Sequence, residues 1–221
     1  MRIEEISPAL AGACLAEVEG RMRLATRSED SMPVYGERIL EGLRLWDPHR
    51  SKLAALLLKT GGGCLSLESN ARVLYLGAAN GTTVSHVSDL VREGLVYAVE
   101  FSPRAMRDLI RLCERRSNII PILADASRPE EYAPLLEPVD LIYQDVAQRN
   151  QSEIASANSN RYLKPGGDLL LMLKSRSVDV TAEPADVLQE QIKQLKGLAV
   201  QAVSDLQPFH QDHWAIAAKK I

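Results

Sequence analysis

Val73-Leu74-Tyr75-Leu76-Gly77-Ala78-Ala79-Asn80-Gly81-Thr82-Thr83 runs from four apolar residues through a loop of small ones into a helical pattern. An apolar run without alternation reads as a strand covered on both faces, the condition of a parallel sheet between helices. The small residues after it let the backbone approach a ligand closely. The helix expected over Thr83 to Arg92 opens toward that loop. Its first amide hydrogens lack intrahelical partners, and the positive end of its dipole favours an anion.

Downstream, the same unit repeats. Leu95-Val96-Tyr97-Ala98-Val99, Ile119 to Ala124, Val139-Asp140-Leu141-Ile142-Tyr143 and Leu169-Leu170-Leu171-Met172-Leu173 read as short strands. Pro103 to Arg116, Glu153 to Tyr162 and Ala185 to Lys196 read as helices between them. Ser102 supplies an N-cap ahead of a first-turn proline. Such alternation implies right-handed crossovers and a parallel sheet. The rhythm breaks at Ala199 to Asp205 and His213 to Lys219, two strands separated only by Leu206 to Asp212. That connection is too short for a crossover helix, so the pair is expected to form an antiparallel hairpin. A doubly wound sheet closing on such a pair is usual for nucleoside-dependent methyltransferases and untypical of dehydrogenases. The expected class is therefore α/β, a Rossmann-like class I methyltransferase fold with a mostly parallel seven-stranded sheet ending in an antiparallel hairpin.

Upstream, the apolar helical stretch Leu53 to Lys59 should stop at Thr60-Gly61-Gly62-Gly63, and Ser28-Glu29-Asp30-Ser31-Met32-Pro33 reads as a polar turn. Val18 to Ala25 alternates partially and reads as a strand; Val34-Tyr35 with Ile39-Leu40 reads as another. The expected division is a small β-rich N-terminal domain over residues 1–50 and a methyltransferase domain over residues 51–221, its regular rhythm starting near Arg72.

Composition bounds the setting. The 221 residues are 46% hydrophobic and 25% charged, as in ordinary globular proteins. No apolar stretch approaches the ~20 residues that span a bilayer. Met1-Arg2-Ile3-Glu4-Glu5 does not resemble a signal peptide. A cytoplasmic location and no membrane association are expected. Cys14, Cys64 and Cys113 are widely spaced and suggest neither a disulfide framework nor a metal site. The net charge of −3 is unusual for a protein that grips nucleic acid alone.

In an open parallel sheet, ligands bind beyond the carboxyl ends of the strands. Gly77 and Ala79 belong to the first loop, with Thr82 and Thr83 adding hydroxyls where a methionine carboxylate would be stabilised. Glu100 follows the second strand, about 20 residues on, where a carboxylate accepts hydrogen bonds from ribose hydroxyls. Phe101 beside it suits an adenine face, and Asp125, followed by Ala126, suits the adenine amino group. Asp145-Val146-Ala147-Gln148 follows the fourth strand, and Lys174-Ser175-Arg176 the fifth. A lysine ending an apolar strand needs a partner, and Asp145 on the neighbouring strand end is the expected one.

These strings resemble the fibrillarin family, particularly its archaeal form. The resemblance rests on Tyr75 to Asp89, on Val96-Tyr97-Ala98-Val99-Glu100-Phe101-Ser102, on Asn118-Ile119-Ile120-Pro121-Ile122 and on Asp145 to Gln148. Upstream, Trp46-Asp47-Pro48-His49-Arg50-Ser51-Lys52-Leu53-Ala54-Ala55 also fits, so the likeness covers the chain from roughly Tyr35 onward. Asn80 stands where a serine is common, and the glycine/arginine-rich tail of eukaryotic relatives is absent.

The resemblance implies an S-adenosyl-L-methionine-dependent RNA ribose 2′-O-methyltransferase acting on rRNA and tRNA. The implied setting is a C/D box ribonucleoprotein with a guide RNA, a Nop5-type scaffold protein and an L7Ae-type RNA-binding protein. Implied donor contacts are Thr82, Thr83, Glu100, Phe101, Asp125, Ala126, Asp145 and Gln148, and the implied catalytic set is Lys52, Asp145 and Lys174. Recognition by a guide would account for the acidic balance. His49, Arg50, Lys52, Arg149, Lys174 and Arg176 are candidates for substrate phosphates.

The expected chemistry is in-line alignment of oxygen, carbon and sulfur, with Lys174 positioning the 2′-hydroxyl and taking its proton, its pKa depressed by the Lys52 cation. Two other readings stand beside it. One is an NAD-binding oxidoreductase, which lacks the GxGxxG loop here; the other is a non-catalytic scaffold subunit, which has no need of Lys52, Asp145 and Lys174 together.

Overall fold

The computed structural model describes residues 2–221. Strands β1 (Ile3–Glu5), β2 (Ala13–Val18), β3 (Arg21–Arg27), β4 (Ile39–Leu40) and β5 (Leu43–Leu45) form an antiparallel sheet in the order β1-β2-β3-β5-β4. The strand expected over Val18 to Ala25 is instead a turn and a second strand. Glu19 and Gly20 both have positive φ, 54° and 74°. That is a two-residue type I′ turn, with Val18 opposite Arg21 across it. Glu41 and Gly42, at φ 50° and 78°, repeat the device between β4 and β5. Val34-Tyr35 is no strand; both of its backbone amides donate to the Glu37 carboxylate.

The remainder follows the expected alternation. Helix α1 (Lys52–Thr60) leads to β6 (Arg72–Leu76), α2 (Thr82–Leu90), β7 (Leu95–Glu100), α3 (Pro103–Cys113) and β8 (Ile119–Leu123). A 3₁₀ turn over Pro129–Leu135 precedes β9 (Val139–Gln144), α4 (Gln151–Tyr162) and β10 (Leu163–Lys174). The short α5 (Ser175–Val178), α6 (Pro184–Gln194), β11 (Leu198–Asp205) and β12 (His213–Lys220) complete the chain. The seven strands lie in the order β11-β12-β10-β9-β6-β7-β8. β12 runs antiparallel to both neighbours, β11 and β10, as the closing hairpin requires, and the pairs among β10, β9, β6, β7 and β8 are parallel.

Side chains alternate between two apolar layers. Val73, Tyr75, Tyr143, Met172 and Ala215 pack with α1, α2 and α3; Leu74, Leu76, Ile142, Leu171 and Ile216 pack with α4 and α6. Ser51 caps α1 by accepting the Ala54 amide, and Gly61 ends it at φ 61°, where glycine suffers no Cβ clash.

The N-terminal sheet is fastened to this body twice. Leu24 and Trp46 belong to the same apolar cluster as α1. Beside them lies a buried polar network: Arg44 donates to Glu37, to Asp89 at 2.7 Å and to the Ser85 hydroxyl at 3.0 Å. Arg116 donates to the other Asp89 oxygen at 2.6 Å and to the Ser88 hydroxyl at 2.7 Å. His86, fully buried, stacks on Trp46 with centroids 4.6 Å apart. Its ring nitrogens meet Tyr35 at 2.8 Å and Thr26 at 2.7 Å, and Thr26 donates on to Asp89 at 2.8 Å. Burial, reinforced by the charges of Arg44 and Arg116, drives the imidazole pKa well down, so the ring is neutral. Among the described residues no helix is long and apolar enough to cross a membrane.

Candidate functional site

β6 pairs with β7 on one side and β9 on the other, so the chain reverses its winding direction there. Loops leaving neighbouring strands diverge at such a point and open a crevice. Two backbone contacts hold its lips: the Asp145 amide donates to Leu76 at 2.9 Å and the Gly77 amide to Val99 at 3.0 Å. Gly77 has φ 86°, and a Cβ there would stand 2.3 Å from the Asp145 carbonyl oxygen. Only glycine lets the loops approach this closely. Ala79 is also left-handed, at φ 47°, and its amide donates to Glu100 Oε2 at 2.7 Å. Ser102 donates to Glu100 Oε1 at 2.7 Å. The carboxylate is thus fixed from both sides, and each oxygen keeps accepting capacity.

A cavity of about 410 Å³ occupies the crevice. Its walls contain Gly77, Ala79, Glu100, Phe101, Ala126, Asp145, Val146, Ala147 and Gln148, all of them expected from the sequence, together with Val99 and Ala124. Phe101 stands at the rim with 70% of its surface exposed, a flat apolar face that a planar ligand would cover. Gln148 Oε1 is buried without a hydrogen-bond partner, a wall position suited to a ligand's donor.

Three expected residues are off this wall. Asp125 stands beside it, accepting from Gln148 at 3.2 Å and from the Ser127 amide at 2.9 Å. Partial burial raises its pKa, but these hydrogen bonds and the Arg128 charge outweigh that and hold the carboxyl below its usual range. Thr83 is buried and donates to the Ser51 hydroxyl at 3.0 Å, joining the start of α2 to the cap of α1. Thr82 borders a neighbouring pocket with Asn80 and Arg50.

The polar end of the cavity corrects one expectation. Asp145 pairs with Lys52, whose Nζ donates to its two oxygens at 2.7 and 2.8 Å, and not with Lys174. The register explains this. Gln144 lies level with Leu171, so Asp145 is level with Met172 and Lys174 stands two residues beyond, about 7 Å along the strand. Lys52 opens α1 over that face and reaches Asp145 first. Lys174 is exposed and forms no ion pair among the described residues. Arg176, expected to be free for a phosphate, is held by Asp212 at 3.2 Å and donates to Val180.

One residue was missed. His213 is the first residue of β12, paired in register with Lys174. Tyr143, Met172 and Ala215 face α1, so by the two-residue period Asp145, Lys174 and His213 leave the sheet on that same face. The His213 Nδ1 contacts the Gln211 carbonyl at 2.6 Å, which assigns the proton to Nδ1 and leaves Nε2 bare. Burial first, then the Lys52 charge, lower its pKa, and those of neighbouring His210 fall for the same reasons. The His210 and His213 rings are 5.8 Å apart.

Seven strands in this order, a reversed strand inside the sheet and a cleft beyond the carboxyl ends of β6 to β9 define a class I methyltransferase fold. The Fibrillarin family model matches residues 6–221. The chain belongs to the fibrillarin family. A fibrillarin-like rRNA/tRNA 2′-O-methyltransferase of Methanothrix thermoacetophila is 56% identical over 202 residues, covering 91% of this chain and 94% of that protein. Aeropyrum pernix fibrillarin in complex with natively bound S-adenosyl-L-methionine aligns at TM-score 0.87 and 44% identity, covering 99% of this chain and 98% of that one. The fibrillarin of a fibrillarin/Nop5p complex aligns at TM-score 0.89 and 45% identity, covering 95% and 98%.

Proposed function

We propose that this protein is an S-adenosyl-L-methionine-dependent RNA ribose 2′-O-methyltransferase. It acts on rRNA and tRNA as the catalytic subunit of a cytoplasmic C/D box ribonucleoprotein, beside a Nop5-type scaffold protein, an L7Ae-type RNA-binding protein and a guide RNA. Residues 51–221 carry the chemistry, and residues 1–50 form a β-rich domain beside them. The observation that carries the reading is the position of Asp145, which lines the cleft and also holds the Lys52 ammonium. A donor lying in the cleft would end beside the two lysines. Family membership favours this over the oxidoreductase and scaffold readings.

The residues present fit the methyl donor. Gly77 and Ala79 leave room for it at the backbone, and Thr82 and Thr83 open α2 where a carboxylate is stabilised. Glu100 would receive the ribose hydroxyls and Phe101 would cover the adenine. Asp125, bonded to Gln148 on the wall, would accept from the adenine amino group, while Ala126, Val146, Ala147 and Gln148 complete the wall. When bound, the donor supplies a methyl group already activated as a sulfonium.

The protein's own task is alignment and removal of one proton. Lys52 fixes Asp145, and Lys174 holds the 2′-oxygen. The Lys52 ammonium is bound to both Asp145 oxygens, which leaves it to orient the carboxylate. His213 Nε2, neutral and bare, accepts the 2′ proton. The sign of the pH dependence follows. A histidine with a pKa below 6.5 is neutral at pH 7, so kcat is level there and falls by one protonation as pH drops through that depressed value. His213→Gln should lower kcat about 100-fold and abolish the acid limb. A profile that instead climbs toward the lysine range near ~10.4 would return the proton to Lys174.

The reading itself is tested by transfer of radiolabel from S-adenosylmethionine to a guide-matched RNA, by the chain alone and in the full assembly. Transfer in the assembly alone is expected. Its absence from both mixtures, with cofactor bound, would point to another acceptor.

A further inference from the structure

A groove of about 530 Å³ lies between the β2–β3 hairpin and the segment from Tyr35 to Arg50, with α1 beneath. We propose that this groove is a track for the phosphodiester backbone of the RNA that bears the target ribose. The inference rests on the methyltransferase reading above and gives the N-terminal sheet a part in it.

Charge is the first argument. The chain is net negative at −3, yet the groove holds four arginines, Arg21, Arg23, Arg38 and Arg50, against two carboxylates, Glu37 and Asp47. The carboxylates are already engaged. Glu37 accepts from Arg44 at 2.9 Å and from the Val34 and Tyr35 amides at 3.0 and 2.8 Å, and Asp47 accepts the His49 amide at 2.9 Å. The arginines are not engaged to the same degree. Arg21 and Arg23 are exposed and form no ion pair among the described residues. They stand two apart on β3, so they point the same way about 7 Å from each other, on the sheet face opposite Leu24, and border the groove from that side. Arg50 lies over the Tyr35 ring at 5.1 Å and spends one N–H on the Tyr35 carbonyl, leaving its other donors free. Arg38 meets Glu19, but both are more than half exposed, where an ion pair contributes little.

Continuity is the second argument. His49, on the groove wall, meets Phe209 edge to face at 5.2 Å, and the next residue, His210, stands 5.8 Å from His213. Lys52 follows His49 by three residues. A strand lying in the groove would therefore be led to the face where Lys52, Asp145, Lys174 and His213 meet. Phosphate contacts of this kind set register and carry no sequence information, which suits a protein whose target is chosen by a guide.

The test is the affinity of the assembled protein, with scaffold and guide RNA, for a fluorescein-labelled target RNA across a salt series. S-adenosylhomocysteine is bound throughout to prevent turnover. Arg21→Gln/Arg23→Gln should weaken binding roughly tenfold at low salt and flatten the log–log salt slope by about 1.4, or ~0.7 for each phosphate contact on a single strand. Arg21→Lys/Arg23→Lys should restore most of both. Matching thermal unfolding curves keep folding out of the comparison. Unchanged affinity and slope in the glutamine variant overturn the track. So does loss of scaffold binding on size exclusion with RNA affinity intact, which would make the groove a protein-docking face. Methyl transfer by the wild-type assembly is measured alongside. Transfer combined with an unaffected variant sinks the track alone; weakened variant binding without wild-type transfer upholds the track and sinks the enzymatic reading alone.

Discussion

Lys174→Ala should lower single-turnover methyl transfer by about 10³-fold while leaving affinity for S-adenosylmethionine within about twofold. The separation follows from where the residue sits. Its backbone is clamped by buried Gln151, which accepts the Lys174 amide at 3.1 Å and donates to its carbonyl at 3.2 Å. Truncation leaves that clamp in place. The side chain is exposed and absent from the cleft wall, so its removal strands no buried charge and opens no cavity. Lys52→Ala makes the contrast, because it leaves Asp145 without its cation at the edge of the cleft and should disturb donor binding as well as transfer. Single-turnover rates and titration calorimetry decide the matter together. A Lys174→Ala protein within about tenfold of the wild-type rate would remove the lysine from the chemistry and leave His213 to act without it.

Arg44→Ala should cost about 3–5 kcal/mol of stability, the usual cost of breaking a buried ion pair from one side. Arg44 is fully buried, and its partners Glu37 and Asp89 are nearly so. Without the guanidinium, Glu37 keeps only backbone donors, and Asp89 must rely on Arg116 and Thr26. The network joins α2 to β3 and β5, so the loss falls on the seam between the two sheets. For a chain of this length it corresponds to a fall in Tm of roughly 10 °C. Arg38→Ala is the internal control: its pair with Glu19 is exposed, and the change should stay within about 0.5 kcal/mol. Calorimetric melts of the two variants give the comparison. Equal, small shifts would mean that the apolar contacts of Leu24 and Trp46 hold the seam unaided.

The catalytic half of the fold was readable because its strands are buried on both faces and its helices are amphipathic. Val73–Leu76 and Leu169–Leu173 announce themselves as unbroken apolar runs, and Ser102-Pro103 marks a helix start that the structure keeps. The N-terminal sheet hides its turns. Glu19-Gly20 and Glu41-Gly42 adopt type I′ geometry without the Asn-Gly or Asp-Gly pairs that usually signal it, so a hairpin read as one strand.

The cleft was legible because strand ends can be counted, and nine of the expected residues line it. Partner choice was harder. Asp145 and Lys174 both end neighbouring strands, but pairing depends on register, and a slip of two residues gave the aspartate to Lys52, which lies 93 positions away in sequence. His213 had a usable signal. In an antiparallel closing strand the first residue, not the last, lies level with the carboxyl ends of the parallel strands.

β12, the last strand in the chain, occupies an interior lane of the sheet, between β10 and β11. During synthesis the N-terminal sheet and β6 to β10 can assemble while β11 still waits for a neighbour, since β12 is its hydrogen-bonded partner. The exposed flank of β10 stays open for the same interval, with Leu169 to Leu173 along it. His213 arrives on β12. The cleft beyond β6 to β9 can therefore form before β12 is in place, and the same eight residues that cover the flank of β10 bring His213 level with Lys174.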